Sequence, residues 1–360
     1  MIPLERLRAA MSGVWTDRPP MDYSACRRTD EALRQALGAE NEAALLDALG
    51  SDFFYLPARD LSQNEGYRLV YRGPTAMDAA QRVCPLGIRY LRGALDHKFM
   101  VDEALEGPLA HAETPEAVWA HPFPTARDFD FSPLRDIART QPNRVRVGGL
   151  WSGILGDSYR MMGFERFLLG LYAMPDMVHA LVERMTQMYL ELNEAYFEAV
   201  RNEMDVWFFG NDFGSQMGLL MSRSMWQDFF FDPIQRLCKL AHSHGLIVMM
   251  HSCGGIAPIV GDLIQAGVDI LDPVQTSAKG MEPRALREAY GGRIVFHGGV
   301  DTQFVLPQGT PEAVTRHARA VIDALSPGYI FAPSQILGED IPTQNILAAY
   351  AEARRERAQV

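Results

Sequence analysis

The chain has 360 residues, 48% hydrophobic and 22% charged, enough for a sizeable core in one large domain or two ordinary ones. A formal net charge of -11 argues against a nucleic-acid footprint or a basic membrane-binding face, and no apolar run approaches the ~20 residues of a membrane span. The opening MIPLERLRAAMSG has no signal-peptide core, so a cytoplasmic protein is expected.

Short apolar runs alternate with amphipathic patterns. The first run, PPMDYS (19–24), leads into Tyr23, Cys26, Arg27 and Arg28, and the second, DFFYL (52–56), is followed by Arg59. The stretch from about 60 to 140 is too long for an ordinary crossover; it carries Tyr67, Tyr71, Pro85 and Tyr90 and reads as an insertion. RVRVGGLW (144–151) comes next. Over 176–200, Val178, Leu181, Val182, Met185, Tyr189, Leu192 and Tyr196 fall at helical spacing. DVWFFG (205–210) runs into Asn211, Asp212, Ser215 and Gln216, and GLIVMM (245–250) into His251 and Cys253. VDIL (268–271) precedes Asp272 and Gln275; RIVFHG (293–298) contains His297 and precedes Asp301. Thr310-Pro311-Glu312 sets an N-cap residue before a proline and an early acid, a helix start. GYIFAP (328–333) leads to Ser334, Gln335, Glu339 and Asp340, and Pro342-Thr343 begins a last helix.

Continuous apolar strands separated by helices imply a parallel sheet covered on both faces, and eight such units favour a (β/α)8 TIM barrel over an open doubly wound sheet. No glycine fingerprint follows the first strand, which weakens a dinucleotide-binding version. We expect one barrel domain over 1–360, with the insertion covering its mouth. Barrel chemistry collects at the C-terminal strand ends, where the polar residues above lie.

The stretch GLIVMMHSCGG places His251 and Cys253 two residues apart, so on an extended chain both face one side. Imidazole and thiolate are zinc ligands at about 2.0 and 2.3 Å, and Gly254 and Gly255 permit a tight turn beside them. The competing reading is a buried neutral cysteine next to a hydrogen-bonded histidine. Cys26, Cys84, Cys238 and Cys253 do not suggest a disulfide framework in a large cytosolic chain, and Cys238 reads as a packed small hydrophobe. Met161, Met162, Met217 and Met221 read as core or pocket lining.

Several stretches carry a family resemblance: MMHSCGGIAPIVGDLIQAGVDILDPVQTSAKGM, FHGGVDTQFVLPQGTPEAV, YIFAPSQILGEDIPTQNILAAYAEA, NDFGSQMGLLMSRSMWQDFFFDPIQRL and VGGLWSGILGDSYRMMGFERFLLGLYAMPDMV. Across essentially its whole length the chain resembles the uroporphyrinogen decarboxylase-like superfamily, whose fold is a (β/α)8 barrel. That superfamily includes cofactor-free decarboxylases of uroporphyrinogen and zinc methyltransferases or demethylases that work with corrinoid proteins. In the methyltransferases an HxC motif and a later cysteine hold zinc. The resemblance places His251 and Cys253 at the first two positions and Gln335 at the third, with Glu339 or Asp212 as carboxylates able to help. The decarboxylases carry an arginine-rich segment of the type RQAGRY; here the region reads PPMDYSACRRTDEAL.

The resemblance therefore implies a methyltransferase or demethylase that moves a methyl group between a small methylated substrate or thiol and a corrinoid protein, assisted by zinc. His251, Cys253, Gln335 and Glu339 are its expected metal residues, and Asp212 a ligand or base. No D-x-H-x-x-G corrinoid signature occurs, so the corrinoid is expected on a separate partner protein. The alternative is a metal-independent decarboxylase in which Asp212 stabilises a protonated intermediate and Arg27, Arg28 or Arg59 orients carboxylates, with His297 as proton donor. Tyr23, Asn211, Gln275 and Asp301 complete the expected substrate-binding set; His297 and Asp301 equally suit loop hydrogen bonding and turn capping. A third reading is a non-catalytic corrinoid-pathway binding protein. A homodimer is left open.

Overall fold

The computed structural model describes residues 1–62, 65–74, 80–91 and 103–356. Seven parallel strands form the central sheet: β1 (Phe53–Tyr55), β2 (Val145–Gly148), β3 (Val206–Gly210), β4 (Ile247–His251), β5 (Ile270–Val274), β6 (Val295–Val300) and β7 (Tyr329–Pro333). Each pairs with its neighbour in sequence, the order a right-handed succession of βα units produces.

The sheet curls until residues 20–22 join its edges. Met21 bridges Phe331 of β7 in parallel, and its carbonyl accepts the Asp52 N–H at 2.7 Å next to β1. The run expected as a first strand is thus the eighth stave. Its ladder is short because Pro19 and Pro20 have no N–H to donate.

Alternation along the strands separates two apolar compartments. Outward residues such as Trp207, Phe209, Val248 and Met250 are buried under the helices. Inward residues, among them Phe53, Val147, Phe208, Met249, Ile270 and Val295, fill the barrel. Leu7, from the helix Pro3–Met11, plugs the N-terminal end of that interior. Truncating such a plug to alanine would cost about 2–5 kcal/mol. One step further along the same inward rows the chemistry changes: Tyr55 follows Phe53, His251 follows Met249, Asp272 follows Ile270 and His297 follows Val295. The polar layer closes the barrel at its C-terminal end.

The helices follow the sequence pattern. Helix Pro175–Val200 buries the seven residues whose spacing announced it. Thr310 caps helix Pro311–Leu325 by accepting the Ala313 N–H at 3.3 Å. Cys238 is fully buried in helix Asp232–Ser243, and all four cysteines are free thiols. Met161 and Met162 are core residues, but Met217 is a correction: it stands 75% exposed on the loop after β3.

The insertion between β1 and β2 leans on helices Ile154–Met162 and Pro175–Val200, beside the mouth. A small antiparallel sheet (81–83, 89–91, 103–106) ties into it through the Leu109 N–H to Met161 carbonyl bond. Tyr71, Phe129, Phe131 and Tyr196 stack in succession at 5.0–5.3 Å between ring centres, joining insertion to helix. Residues 92–102, in the middle of the expected cover, lie outside the described residues. No described helix is long and apolar enough to cross a membrane.

Candidate functional site

The polar layer is a continuous chain of alternating carboxylates and imidazoles. Asp212 Oδ1 lies 3.3 Å from His251 Nε2 and 3.2 Å from Cys253 Sγ. His251 Nδ1 meets Asp272 Oδ2 at 2.5 Å. The other oxygen of Asp272 is 2.6 Å from His297 Nδ1, an ionic contact out of line with the ring N–H. His297 Nε2 is 2.9 Å from Asp22 Oδ2, which also accepts the Tyr55 hydroxyl. Six staves of the barrel contribute, from residue 22 through β1 and the ends of β3 to β6.

Charge alternation sets the protonation states. Burial disfavours a charged His297, but the charge of Asp272 and the hydrogen bond to Asp22 win and raise its pKa to about 9. Burial likewise opposes charging His251, yet Asp272 and Asp212 bring it well above the usual imidazole range. Asp272 and Asp212 are correspondingly held below the usual carboxylate range against their own desolvation, Asp272 by both histidines and Asp212 by His251 and the Cys253 N–H. Asp212 keeps 55% of its side chain exposed, so it faces the open mouth, whereas Asp272 and His297 are buried.

Three donors converge at the rim: Asp212 O, His251 N and Cys253 S lie within 4.8 Å of one another. The expectation that His251 and Cys253 share a direction on one strand needs a correction in detail. β4 ends at His251, and a loop returns Cys253 to the same point. That loop is held by close backbone contact: Gly254, at φ +88°, lies so near Gly214 and Ser215 that an added Cβ would sit 2.5 Å from the Gly214 carbonyl carbon. Gln275 accepts the Gly254 N–H at 2.7 Å, and Gly255 donates to the Ser215 carbonyl at 2.8 Å.

The donor set suits a metal ion. It offers one nitrogen, one sulfur and one oxygen, and the other nitrogen of its histidine is already fixed by a carboxylate.

Aromatic rings wall one side. Trp151 is 5.4 Å from the His251 ring and 5.3 Å from Phe208, both between ring centres. Arg59 lies over Phe208 and Tyr55 at 5.1 and 4.8 Å.

Other expected site residues are placed differently. Glu339 pairs with Arg28 at 2.7 Å in the exposed loop after β7 and is not one of the three converging donors. Gln335 is partly buried in that loop, and no hydrogen bond links it to the three among the described residues. Arg27 pairs with Glu31 on its own exposed helix. Tyr23 donates to Asp30 at 2.6 Å. Asn211 spans two loops, accepting from Leu155 N–H and donating to the Ser152 carbonyl. Asp301 accepts the N–H groups of Gln303, Phe304 and Val305, the capping alternative.

Sequence reasoning left Asp22, Tyr55, Trp151 and Phe208 out of the site and gave Asp272 no role. A signal for three of them was present: Asp22, Tyr55 and Asp272 occupy the last inward position of their strands, a polar group ending an apolar row.

Residues 133–356 match the family "Uroporphyrinogen decarboxylase (URO-D)", more than half of the chain. The chain belongs to that family. No curated protein sequence matches it. Among solved structures it is similar to a methyltransferase from Methanosarcina mazei, with a TM-score of 0.65 and 19% identity over 98% of each chain, a likeness of fold.

Proposed function

We propose that this member of the uroporphyrinogen decarboxylase family transfers a methyl group between a small methylated substrate or thiol and a corrinoid carried on a separate protein, with a zinc ion held by His251, Cys253 and Asp212. The observation that carries this reading is the convergence of those three donors on the open rim, with Asp272 behind the histidine. The methyltransferase fold neighbour supports it. A bound zinc would supply Lewis acidity, favouring the thiolate form of a thiol or polarising an ether oxygen.

The chain's own groups do the remaining work. Asp272 fixes the His251 ring with Nε2 toward the rim, and His297, tied to Asp22, keeps Asp272 from turning away. Trp151 and Phe208 shield one flank of the site from water, which strengthens its electrostatics. Cys253 is partly exposed, so the three donors reach the open rim.

The test is metal content and turnover together. Chelator-free protein should carry about one zinc per chain, lost in the double variant His251→Ala/Cys253→Ala, and should demethylate a methylated corrinoid protein in the presence of a thiol. Metal-free protein that releases carbon dioxide from a carboxylated substrate would replace this reading with the decarboxylase.

A further inference from the structure

We infer that Ser252, the residue between His251 and Cys253, is a positioning residue of this site: its buried hydroxyl fixes the loop that carries Asp212 and so holds the Asp212 carboxylate beside Cys253. The inference rests on the reading of this rim as the working site and adds to it a group that is not itself a donor to an ion.

The loops after β3 and β4 run side by side and are joined residue by residue. The Asn211 N–H donates to the His251 carbonyl at 2.9 Å. The Cys253 N–H donates to Asp212 Oδ1 at 3.1 Å. The third link is made by Ser252, whose Oγ accepts the Phe213 N–H at 3.1 Å. Ser252 is also anchored to the next stave, its own N–H donating to the Asp272 carbonyl at 2.7 Å. One fully buried residue thus connects the three segments that bring Asp212, His251 with Cys253, and Asp272 together.

The need for a hydroxyl follows from Phe213. That residue is fully buried, edge to face with Trp226 at 5.6 Å and tilted against Phe230 at 5.1 Å between ring centres. Its carbonyl accepts the Leu220 N–H at 2.9 Å. Its N–H has no acceptor but Ser252 among the described residues, and a backbone donor buried without an acceptor is costly. The aromatic rings fix Phe213 from the helix side and Ser252 fixes it from the β4 side. Asp212, one residue earlier, takes its direction from that clamp.

Asp212 depends on such a support. Its side chain is 55% exposed, and its contacts are with His251 Nε2 and with the Cys253 N–H and Sγ, the groups that change partners when an ion or substrate enters. The bond from Phe213 to Ser252 is buried, takes no part in that exchange, and keeps the loop in place while the rim contacts rearrange.

Alkylation of Cys253 in chelator-treated protein tests this without metal, methyl donor or corrinoid, so its failure is separate from failure of methyl transfer. Cys26, Cys84 and Cys238 are buried, so iodoacetamide reports on Cys253. A thiol that donates to Asp212 is held back from the reagent, and one hydrogen bond of this kind is a factor of about three to ten in rate. Asp212→Ala should speed alkylation by that factor, and Ser252→Ala nearly as much. Ser252→Thr, which keeps the acceptor, should restore the wild-type rate. The double variant Ser252→Ala/Asp212→Ala should react no faster than Asp212→Ala alone, because Ser252 acts through Asp212. A serine that only stabilised the fold would lower the melting temperature without this dependence on Asp212. Amide exchange in the wild-type protein needs no variant: the Phe213 N–H should exchange at least about tenfold more slowly than that of exposed Met217. Rates unchanged in Asp212→Ala or in folded Ser252→Ala, effects that multiply in the double variant, no recovery in folded Ser252→Thr, or a Phe213 amide exchanging as fast as Met217 would overturn the assignment.

Discussion

The Nδ1 atom of His251 lies 2.5 Å from Oδ2 of Asp272, and this contact decides which ring nitrogen faces Asp212 and Cys253. A carboxylate behind a ligating histidine fixes ring orientation and raises its basicity. Asp272→Asn should therefore weaken zinc binding roughly 10–100-fold, measured by competition with a chromophoric chelator. Unchanged affinity would mean that the ion is held elsewhere.

The contacts of His297 with Asp272 and Asp22 should make stability fall at alkaline pH. The folded pKa of His297 is raised to about 9, above the ordinary value near 6.5. Its contribution is then complete below about pH 6.5 and is lost as pH rises through about 9. For this buried residue the loss is on the order of 3 kcal/mol, read from urea denaturation across that interval. His297→Gln should flatten the slope; an identical slope in the variant would assign the effect to another group.

Gly254 holds the Cys253 loop against the loop after β3. A Cβ there meets Gly214 backbone at 2.5 Å and Ser215 N at 2.7 Å, and φ is already +88°. Gly254→Ala should cost about 1–3 kcal/mol of stability and displace Cys253 from Asp212. Cobalt substitution offers a direct readout: the thiolate-to-cobalt absorption of the wild-type protein should weaken or vanish.

Glu339 belongs to a different contact. Its exposed pairing with Arg28 should contribute no more than about 1 kcal/mol. Glu339→Gln is expected to leave zinc content unaltered while Asp212→Asn lowers it, by elemental analysis of the two proteins purified side by side. Loss of metal from the Glu339 variant would reinstate it as a ligand.

Much of the architecture was legible before any coordinates. Eight apolar runs, among them PPMDYS, DVWFFG and GYIFAP, fall on the eight staves, because a strand buried on both faces needs consecutive apolar residues wherever it lies. Helix Pro175–Val200 was equally visible, since its period is a local property of the chain. The pairing of His251 with Cys253 was half legible: both residues stood out, but their convergence depends on the turn at Gly254.

What no local pattern carries is the identity of partners. His297 meets Asp22, 275 positions away, only because barrel closure brings the first stave beside the last strands. Arg28 and Glu339, which looked like separate site residues, cancel each other for the same reason. The amino-acid order determined which side chains end the strands and which way they alternate, because those follow from backbone geometry within a few residues. Curvature of the closed sheet decided which of them touch, and with it which charges are spent on one another.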